Sequence, residues 1–326
     1  MRFIKWTLLV VAALLILAAY MVYQPDLPVA DVDAKYSNEA SQFLVLDNGA
    51  RIHFRDQGLT DGYPIVLIHG AMASLHTWEP WVEILGQDYR VITLDLPAHG
   101  LTGAVPDGSY GAGAFTKTIH DVTTHLGLGK FVLGGNSMGG GATWRYAISH
   151  PTRVSHMILL NSSGPRRQPQ RQTSNDDNNS SPFAPLSWAW FRAVAEHVNP
   201  RFLVERGLRS AYNHSPVVTD ELVDRYNNLI LREGTRAAIL NRNTRQRRAE
   251  ETYQLANLNQ PALIIWGRQD SVIPVSVGEE LARVLPDSKL VIYDELGHIP
   301  MEEDPQRSAT DVLAFLQEFQ QEQSAF

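Results

Sequence analysis

Ser137 stands in Gly135-Asn-Ser-Met-Gly139, directly after the apolar run Phe131–Leu133 and at the start of a helical pattern. That spacing matches G-x-S-x-G, in which the chain turns so sharply from strand to helix that only small residues fit beside the serine. The outcome is a serine in strained backbone geometry with its Oγ presented above a sheet. A serine hydroxyl is a weak nucleophile at neutral pH and needs a base within hydrogen-bond reach. The bare pattern is short enough to arise by chance, and its place between a strand and a helix is what gives it weight. The chain has no cysteine, which removes disulfides, thiolate metal sites and a cysteine nucleophile.

A nucleophile so placed requires a sheet, and the sequence supplies one. Gln42–Leu46 and Arg51–Arg55 flank Asp-Asn-Gly, which reads as a hairpin because Asn-Gly tolerates positive φ. Apolar runs then alternate with helical patterns at Ile65–Ile68, Val91–Leu94, Phe131–Leu133, Val154–Leu160, Ala262–Trp266 and Leu290–Tyr293. Short apolar strands spaced by helices predict an α/β fold: an eight-stranded, mostly parallel sheet flanked by helices on both faces. Residues 162–260 hold no good strand. They begin with a polar tract, Pro165–Pro182, and continue with helical patterns at Leu186–Val198, Asp220–Arg232 and Thr235–Ala256, so they read as an α-helical cap over the sheet. The core is then divided into residues 41–161 and 261–326. Within the cap, Arg232–Arg248 carries six arginines against Glu233 alone, which reads as a solvated helix face or as a contact with anionic lipid headgroups.

The N-terminus reads differently. From Trp6 to Tyr23 there is no charged residue, and a helix of that length rises roughly 27 Å, close to the ~30 Å core of a bilayer. Arg2 and Lys5 precede the run and Asp26, Asp31 and Asp33 follow it. The positive-inside rule therefore predicts a transmembrane anchor over residues 1–23, a linker over 24–40, and a domain on the exported, periplasmic or extracellular side. A cleaved signal peptide is the competing reading, although Ala-Ala-Tyr-Met-Val-Tyr-Gln-Pro offers no clean cleavage site.

With these motifs in order, the sequence resembles the α/β-hydrolase family over roughly residues 40–320. Ile265-Trp-Gly-Arg-Gln-Asp270 is similar to the strand end that supplies the family's acid, and Leu296-Gly-His298-Ile-Pro-Met-Glu-Glu-Asp-Pro305 to the loop that carries its histidine. Ile68-His-Gly-Ala71 resembles the oxyanion segment, which implies that the backbone N–H groups of Ala71 and Met138 hold the developing oxyanion. Asp95-Leu-Pro-Ala-His-Gly100 resembles a family turn, with Ala98 in place of the commoner glycine. The chemistry of these residue types fits the carried-over roles. His298 would take the serine proton and return it to the leaving group, and Asp270 would fix the imidazole tautomer and stabilise the imidazolium. Two N–H groups aimed at a tetrahedral oxyanion would each lower the barrier by several kcal/mol.

Each assignment has a plainer rival. Ser137 could be a helix N-cap, although Gly139–Gly141 is an odd way to begin a helix for that purpose alone. His298 could be a loop histidine. Asp270 competes with Asp294, and an acid after the sixth strand would fall at Asn161, which carries no charge. His69 and His99 read as structural, Trp78 and Trp81 as helix packing, and Trp188 and Trp190 as candidates for lining a substrate pocket. No P-loop, H-E-x-x-H or dinucleotide fingerprint occurs, and His120 and His125 are spaced off a common helical face. Neither a cofactor nor a metal is expected. The net charge of −7 lacks the basic footprint of a nucleic-acid binder.

The resemblance implies a serine hydrolase that cleaves carboxylic esters through an acyl-enzyme, with a small-molecule ester or acyl substrate that could be lipid-like. Ser137 argues against the relatives that open epoxides or displace halide, which use aspartate there. Asn136 and Met138 also resemble the elbow of hydrolases that cleave carbon–carbon bonds in ring-fission products, but His69-Gly-Ala-Met-Ala-Ser74 lacks their glycine-rich loop. Cofactor-free perhydrolases share the triad. A reading from another class is a membrane-tethered binding protein that keeps the fold without turnover, although such proteins usually lose a triad member. Oligomeric state stays open.

Overall fold

Side chains alternate along a strand, so a strand that is apolar at successive positions must be covered on both faces. The computed structural model describes residues 20–165, 189–241 and 254–324, together with residues 6, 7, 14 and 17. Its strands are β1 (Ser41–Val45), β2 (Arg51–Gly58), β3 (Tyr63–Ile68), β4 (Tyr89–Leu94), β5 (Phe131–Asn136), β6 (Val154–Leu160), β7 (Ala262–Gly267) and β8 (Ser288–Tyr293). They form one eight-stranded sheet in the order β1-β2-β4-β3-β5-β6-β7-β8. The β1–β2 hairpin and the β2–β4 pair are antiparallel, and the remaining pairs are parallel.

The helices are α1 (Val29–Tyr36), α2 (Glu79–Leu85), α3 (Ala112–His125), α4 (Met138–Ser149), α5 (Ala189–Ala195), α6 (Arg201–Ala211), α7 (Asp220–Leu231), α8 (Thr235–Asn241), α9 (Val275–Val284), α10 (Pro300–Glu303) and α11 (Pro305–Ser324). Val66, Ile68, Leu133 and Ile264 face one layer, where they pack with Phe115 and Ile119 of α3, Ala147 of α4 and Leu281 of α9. Ile65, Leu67, Val132 and Ile265 face the other, with Trp81 of α2, Phe315 of α11 and Val223 of α7. Trp78 and Trp81 are packing residues, both fully buried with ring centroids 5.2 Å apart, and Trp81 Nε1 donates to Ser308 Oγ at 3.0 Å.

The predicted strands and hairpin agree with this sheet. In the cap region α6 was not anticipated, because Arg201, Glu205, Arg206 and Arg209 interrupt its apolar pattern. Of the helix expected at Thr235–Ala256, the described part is α8, and residues 242–253 lie outside the described residues.

The segment read as a linker is docked along the end of α7 and the start of α8. Leu27 N–H donates to Leu231 O at 2.7 Å, and Glu233 N–H donates to Leu27 O at 3.0 Å. Asp26 accepts from Arg236 Nη2 at 2.6 Å and Asp33 accepts from Arg232 Nε at 2.9 Å. Arg232 and Arg236 are 5% and 4% exposed, so these two arginines face neither solvent nor lipid; they are ion-paired inside the fold. Arg242, Arg245, Arg247 and Arg248 lie outside the described residues.

The transmembrane helix expected over residues 1–23 falls largely outside the described residues as well. Among the described residues no helix is long and apolar enough to cross a membrane.

Candidate active site

The strand order places a switch point beside β3: the chain steps outward to β4 and then returns to lay β5 on the other side of β3. The connections leave the carboxyl ends of β3 and β5 toward opposite sides there, and such a switch point is the usual ligand site of these sheets. Ser137 lies at that point, where β5 turns into α4.

Its backbone holds φ +53° and ψ −115°, a conformation that costs a non-glycine residue about 1–3 kcal/mol. Surrounding bonds enforce it. Ser137 N–H donates to Leu160 O at 3.0 Å, while Ser137 O accepts from Gly141 N at 3.0 Å, Ser163 N at 2.9 Å and Ser163 Oγ at 3.1 Å. The flanking glycines are required by space. A Cβ on Gly135 would meet Gly139 C at 2.4 Å, and one on Gly139 would meet Ile68 O at 2.1 Å. The loop after β3 lies against the serine, since a Cβ on Gly70 would stand 3.2 Å from Ser137 Cβ. Ala71 follows Gly70, and Met138 is the first residue of α4, so the two N–H groups matched to an oxyanion hole come from the two neighbouring strand ends at the switch point.

Asp270 follows β7 in a tight turn. Its Oδ1 accepts from Val272 N at 2.7 Å and Ile273 N at 2.9 Å. Its Oδ2 accepts from Asn161 Nδ2 at 2.7 Å and meets His298 Nδ1 at 2.7 Å. Burial works against a charge on this carboxylate. The bond from His298, the nearby imidazole and the Asn161 amide outweigh it and hold Asp270 below the usual carboxylate range. Asp294, the rival acid, is 77% exposed at its side chain and pairs instead with Arg268 at 2.5 Å.

His298 is 5% exposed and is fixed through its backbone as well as its ring. Its N–H donates to Ala211 O at 2.7 Å, at the end of α6, and its carbonyl accepts from Asn136 Nδ2 at 3.0 Å. The histidine is thereby tied to the residue that precedes Ser137. Glu303 grips the loop from both sides, accepting from Gly297 N at 2.8 Å and Ile299 N at 2.9 Å. An imidazole whose Nδ1 faces a carboxylate presents Nε2 as the acceptor, which is the tautomer a general base needs. Ser137, in its strained backbone geometry, directly follows the residue whose amide is bonded to the His298 carbonyl, and a serine, a histidine and a carboxylate are the groups that nucleophilic acyl transfer uses.

The sequence motifs mark Ser137, Asp270 and His298 and leave Asn136, Asn161 and Glu303 without a role. Asn161 was noticed only as an uncharged residue where an acid could have stood. Glu303 lay within the histidine motif without a partner to suggest its use.

His69 and His99 are structural. His69 Nδ1 donates to Gly70 O at 2.7 Å and its Nε2 accepts from Leu96 N at 3.0 Å, which joins the ends of β3 and β4. Burial pushes the His69 imidazole below its ordinary range, against the pull of Asp95. His99 Nδ1 bonds Pro97 O at 2.9 Å. In the departed turn, Ala98 takes φ +68° where the family commonly has glycine. Trp188 lies outside the described residues, and of Trp190 only the backbone, in α5, is described. Among the described residues no group of three or more acidic or histidine side chains is placed to hold a metal.

The comparisons with known proteins agree with this fold. The family model described as alpha/beta hydrolase fold matches residues 63–305. A 2-hydroxy-6-oxononadienedioate/2-hydroxy-6-oxononatrienedioate hydrolase of Burkholderia vietnamiensis is 26% identical over 283 residues, covering 83% of this chain and 93% of that protein. Monoacylglycerol lipase abhd6-B of Xenopus laevis is 27% identical over 267 residues, 78% of this chain and 76% of the lipase. Among solved structures, a thermophilic esterase from Thermogutta terrifontis superposes with a TM-score of 0.68 at 27% identity, covering 85% of this chain and 98% of the esterase. The relatives thus include esterases, lipases and hydrolases of meta-cleavage products. This chain belongs to the α/β-hydrolase fold family.

Proposed function

We propose that the protein is a membrane-anchored serine hydrolase that cleaves carboxylic esters of an acyl-chain or lipid-like kind. Ser137 attacks the ester carbonyl, His298 takes its proton and later delivers it to the leaving alkoxide, and Asp270 orients and charge-stabilises His298. The N–H groups of Ala71 and Met138 stabilise the tetrahedral oxyanion. Water, activated by the same histidine, then releases the acid and regenerates the serine. The helical cap over residues 162–260, with Trp188 and Trp190, shapes the acyl pocket.

The observation that carries this reading is the contact of His298 Nδ1 with the buried Asp270 carboxylate at 2.7 Å, on a loop whose His298 carbonyl is bonded to the residue before a serine at φ +53°. A fluorophosphonate probe should label the wild-type chain and fail to label Ser137→Ala. His298→Ala and Asp270→Asn should lower turnover of p-nitrophenyl esters on the order of 10⁴-fold. An unlabelled wild type with intact fold overturns the assignment. The relationship to the Burkholderia hydrolase supports one other reading, cleavage of a carbon–carbon bond beside a carbonyl. Preferential turnover of a 2-hydroxy-6-oxo-dienoate over every ester in a chain-length panel would establish it instead.

The anchor is the uncharged run Trp6–Tyr23, with the catalytic domain on the exported side. Recovery of the uncleaved chain in the membrane fraction tests this against a processed, secreted form.

A further inference from the structure

The stretch between α5 and α6 is paired with the end of the N-terminal apolar run. Asn199 N–H donates to Val22 O at 2.9 Å and Gln24 N–H donates to His197 O at 2.8 Å. Tyr23 and Val198 form an antiparallel bridge between them. On either side of this junction the cap exposes large apolar side chains: Val194 in α5 is 56% exposed, and Phe202 and Leu203 in the first turn of α6 are 71% and 69% exposed. The described residues of the run are exposed too, with Leu14 at 60%, Leu17 at 56% and Met21 at 75%. Exposed apolar side chains gathered beside the end of an apolar run of sequence call for a covering partner. Arg206 follows on α6 and is exposed, and Arg209, exposed as well, pairs with Glu205 of the same helix at 2.8 Å. Apolar residues flanked by arginine on one short helix fit the boundary between acyl chains and anionic headgroups.

The far end of the same helix reaches the site. Ala211 O accepts the N–H of His298 at 2.7 Å, and Ser210 O accepts from Ser271 Oγ at 3.0 Å, next to Asp270. With 11 residues at 1.5 Å each, α6 spans about 16 Å between the patch and the histidine.

We propose that Val194, Phe202 and Leu203 form a bilayer-seating face that dips into the leaflet receiving the N-terminal run, so that α6 stands between the lipid surface and His298. This rests on the anchored reading above. It assigns lipid contact to the first turn of α6 and withdraws it from Arg232 and Arg236, whose charges are consumed by Asp33 and Asp26. The site is thereby held at a fixed height over the substrate-bearing surface.

The chain contains no cysteine, so single-cysteine labelling has no background. Full-length Leu14→Cys, Phe202→Cys and Asp61→Cys chains, each carrying an environment-sensitive fluorophore, are reconstituted into phosphatidylcholine–phosphatidylglycerol vesicles with and without doxyl-labelled lipid. The proposal expects blue-shifted emission and strong doxyl quenching at positions 14 and 202 and neither at 61. Quenching at 14 with a water-exposed label at 202 overturns the seating face and leaves the anchor standing. No quenching at either position overturns both. A label at 202 that is shielded without doxyl quenching, with Phe202→Cys chains cross-linking to each other, assigns the patch to a second copy and overturns the proposal. A Phe202→Asp/Leu203→Asp chain should turn over a short water-soluble ester at the wild-type rate and a vesicle-embedded ester at least tenfold more slowly; equal loss on both substrates also counts against the seating face.

Discussion

Asn161 donates from Nδ2 to Asp270 Oδ2 at 2.7 Å across 109 positions of sequence, and the same oxygen meets His298 Nδ1 at 2.7 Å. The carboxylate that orients the histidine is therefore itself oriented by an amide at the end of β6. Asn161 takes φ +42° and is fully buried, and its Oδ1 accepts from Gly267 N at 3.4 Å, so it links the ends of β6 and β7.

This arrangement makes Asn161→Asp informative. Two carboxylates at hydrogen-bond distance cannot both ionise readily, so one holds a proton to higher pH than Asp270 does alone. The acid limb of the kcat/KM profile should move to higher pH in Asn161→Asp. Asn161→Ala should lower kcat without a comparable displacement. An acid limb unchanged in Asn161→Asp would mean that the amide has no electrostatic hold on the triad.

The glycines at the elbow differ sharply from glycines elsewhere. Gly139→Ala drives a methyl group to 2.1 Å from Ile68 O and should abolish soluble expression or cost more than about 3 kcal/mol of stability. Gly113 lies within α3, has no positive φ and has open space around it. Gly113→Ala should raise stability by about 0.5–1 kcal/mol, because it restricts the unfolded chain and improves helix propensity. Urea denaturation of the two variants checks both signs.

Removal of Asp26 leaves the Arg236 guanidinium, 4% exposed, without its carboxylate partner. Asp26→Ala should therefore destabilise the chain by about 2–3 kcal/mol, the lower end of the range because Asp26 keeps partial access to water. Removing both charges with Asp26→Leu/Arg236→Met should recover most of that loss. Failure of the double variant to recover would show that the backbone bonds from Arg236 to Val198 O and Gln24 O matter more than the charge pair.

Glu302 accepts a hydrogen bond from Thr77 Oγ1 and lies 3.8 Å from Arg225, with Tyr212 and Tyr226 around it. Burial raises its pKa, and the partners only partly offset that. Because the folded carboxyl binds its proton more tightly than the unfolded one, the folded state loses stability as pH rises from about 4.3 through the folded value. Glu302→Gln lacks this ionisation. The stability of wild type relative to Glu302→Gln should fall with rising pH across that window, as read by thermal unfolding; a flat difference refutes the raised pKa.

The elbow was legible because its constraint is local. Gly135, Ser137 and Gly139 lie within a few residues, and the space that excludes a side chain there is set by the turn itself. The strands were legible for a similar reason, since a strand covered on both faces must be apolar at successive positions, as β3 and β7 are. Helix α6 was not, because its buried contacts at Leu208 and its exposed Phe202 and Leu203 do not follow one helical stripe. The docking of residues 24–36 was hidden by their polarity. Asp26 and Asp33 read as linker residues until Arg236 and Arg232 are seen opposite them.

By itself, then, the sequence determined the strand–turn–helix elbow that holds Ser137, an α/β sheet to carry it and the order of the candidate site residues along the chain. Only the tertiary structure decided which carboxylate meets His298, that Asn161 and Glu303 hold the pair in place, and that α6 runs from beside the end of the N-terminal apolar run to the histidine. The division follows from range. Turn sterics and strand periodicity act over a few bonds and leave a mark in neighbouring residues. Hydrogen bonds and ion pairs across 109 or 210 positions leave none, because any two polar residues could make them until the sheet closes and selects which ones do.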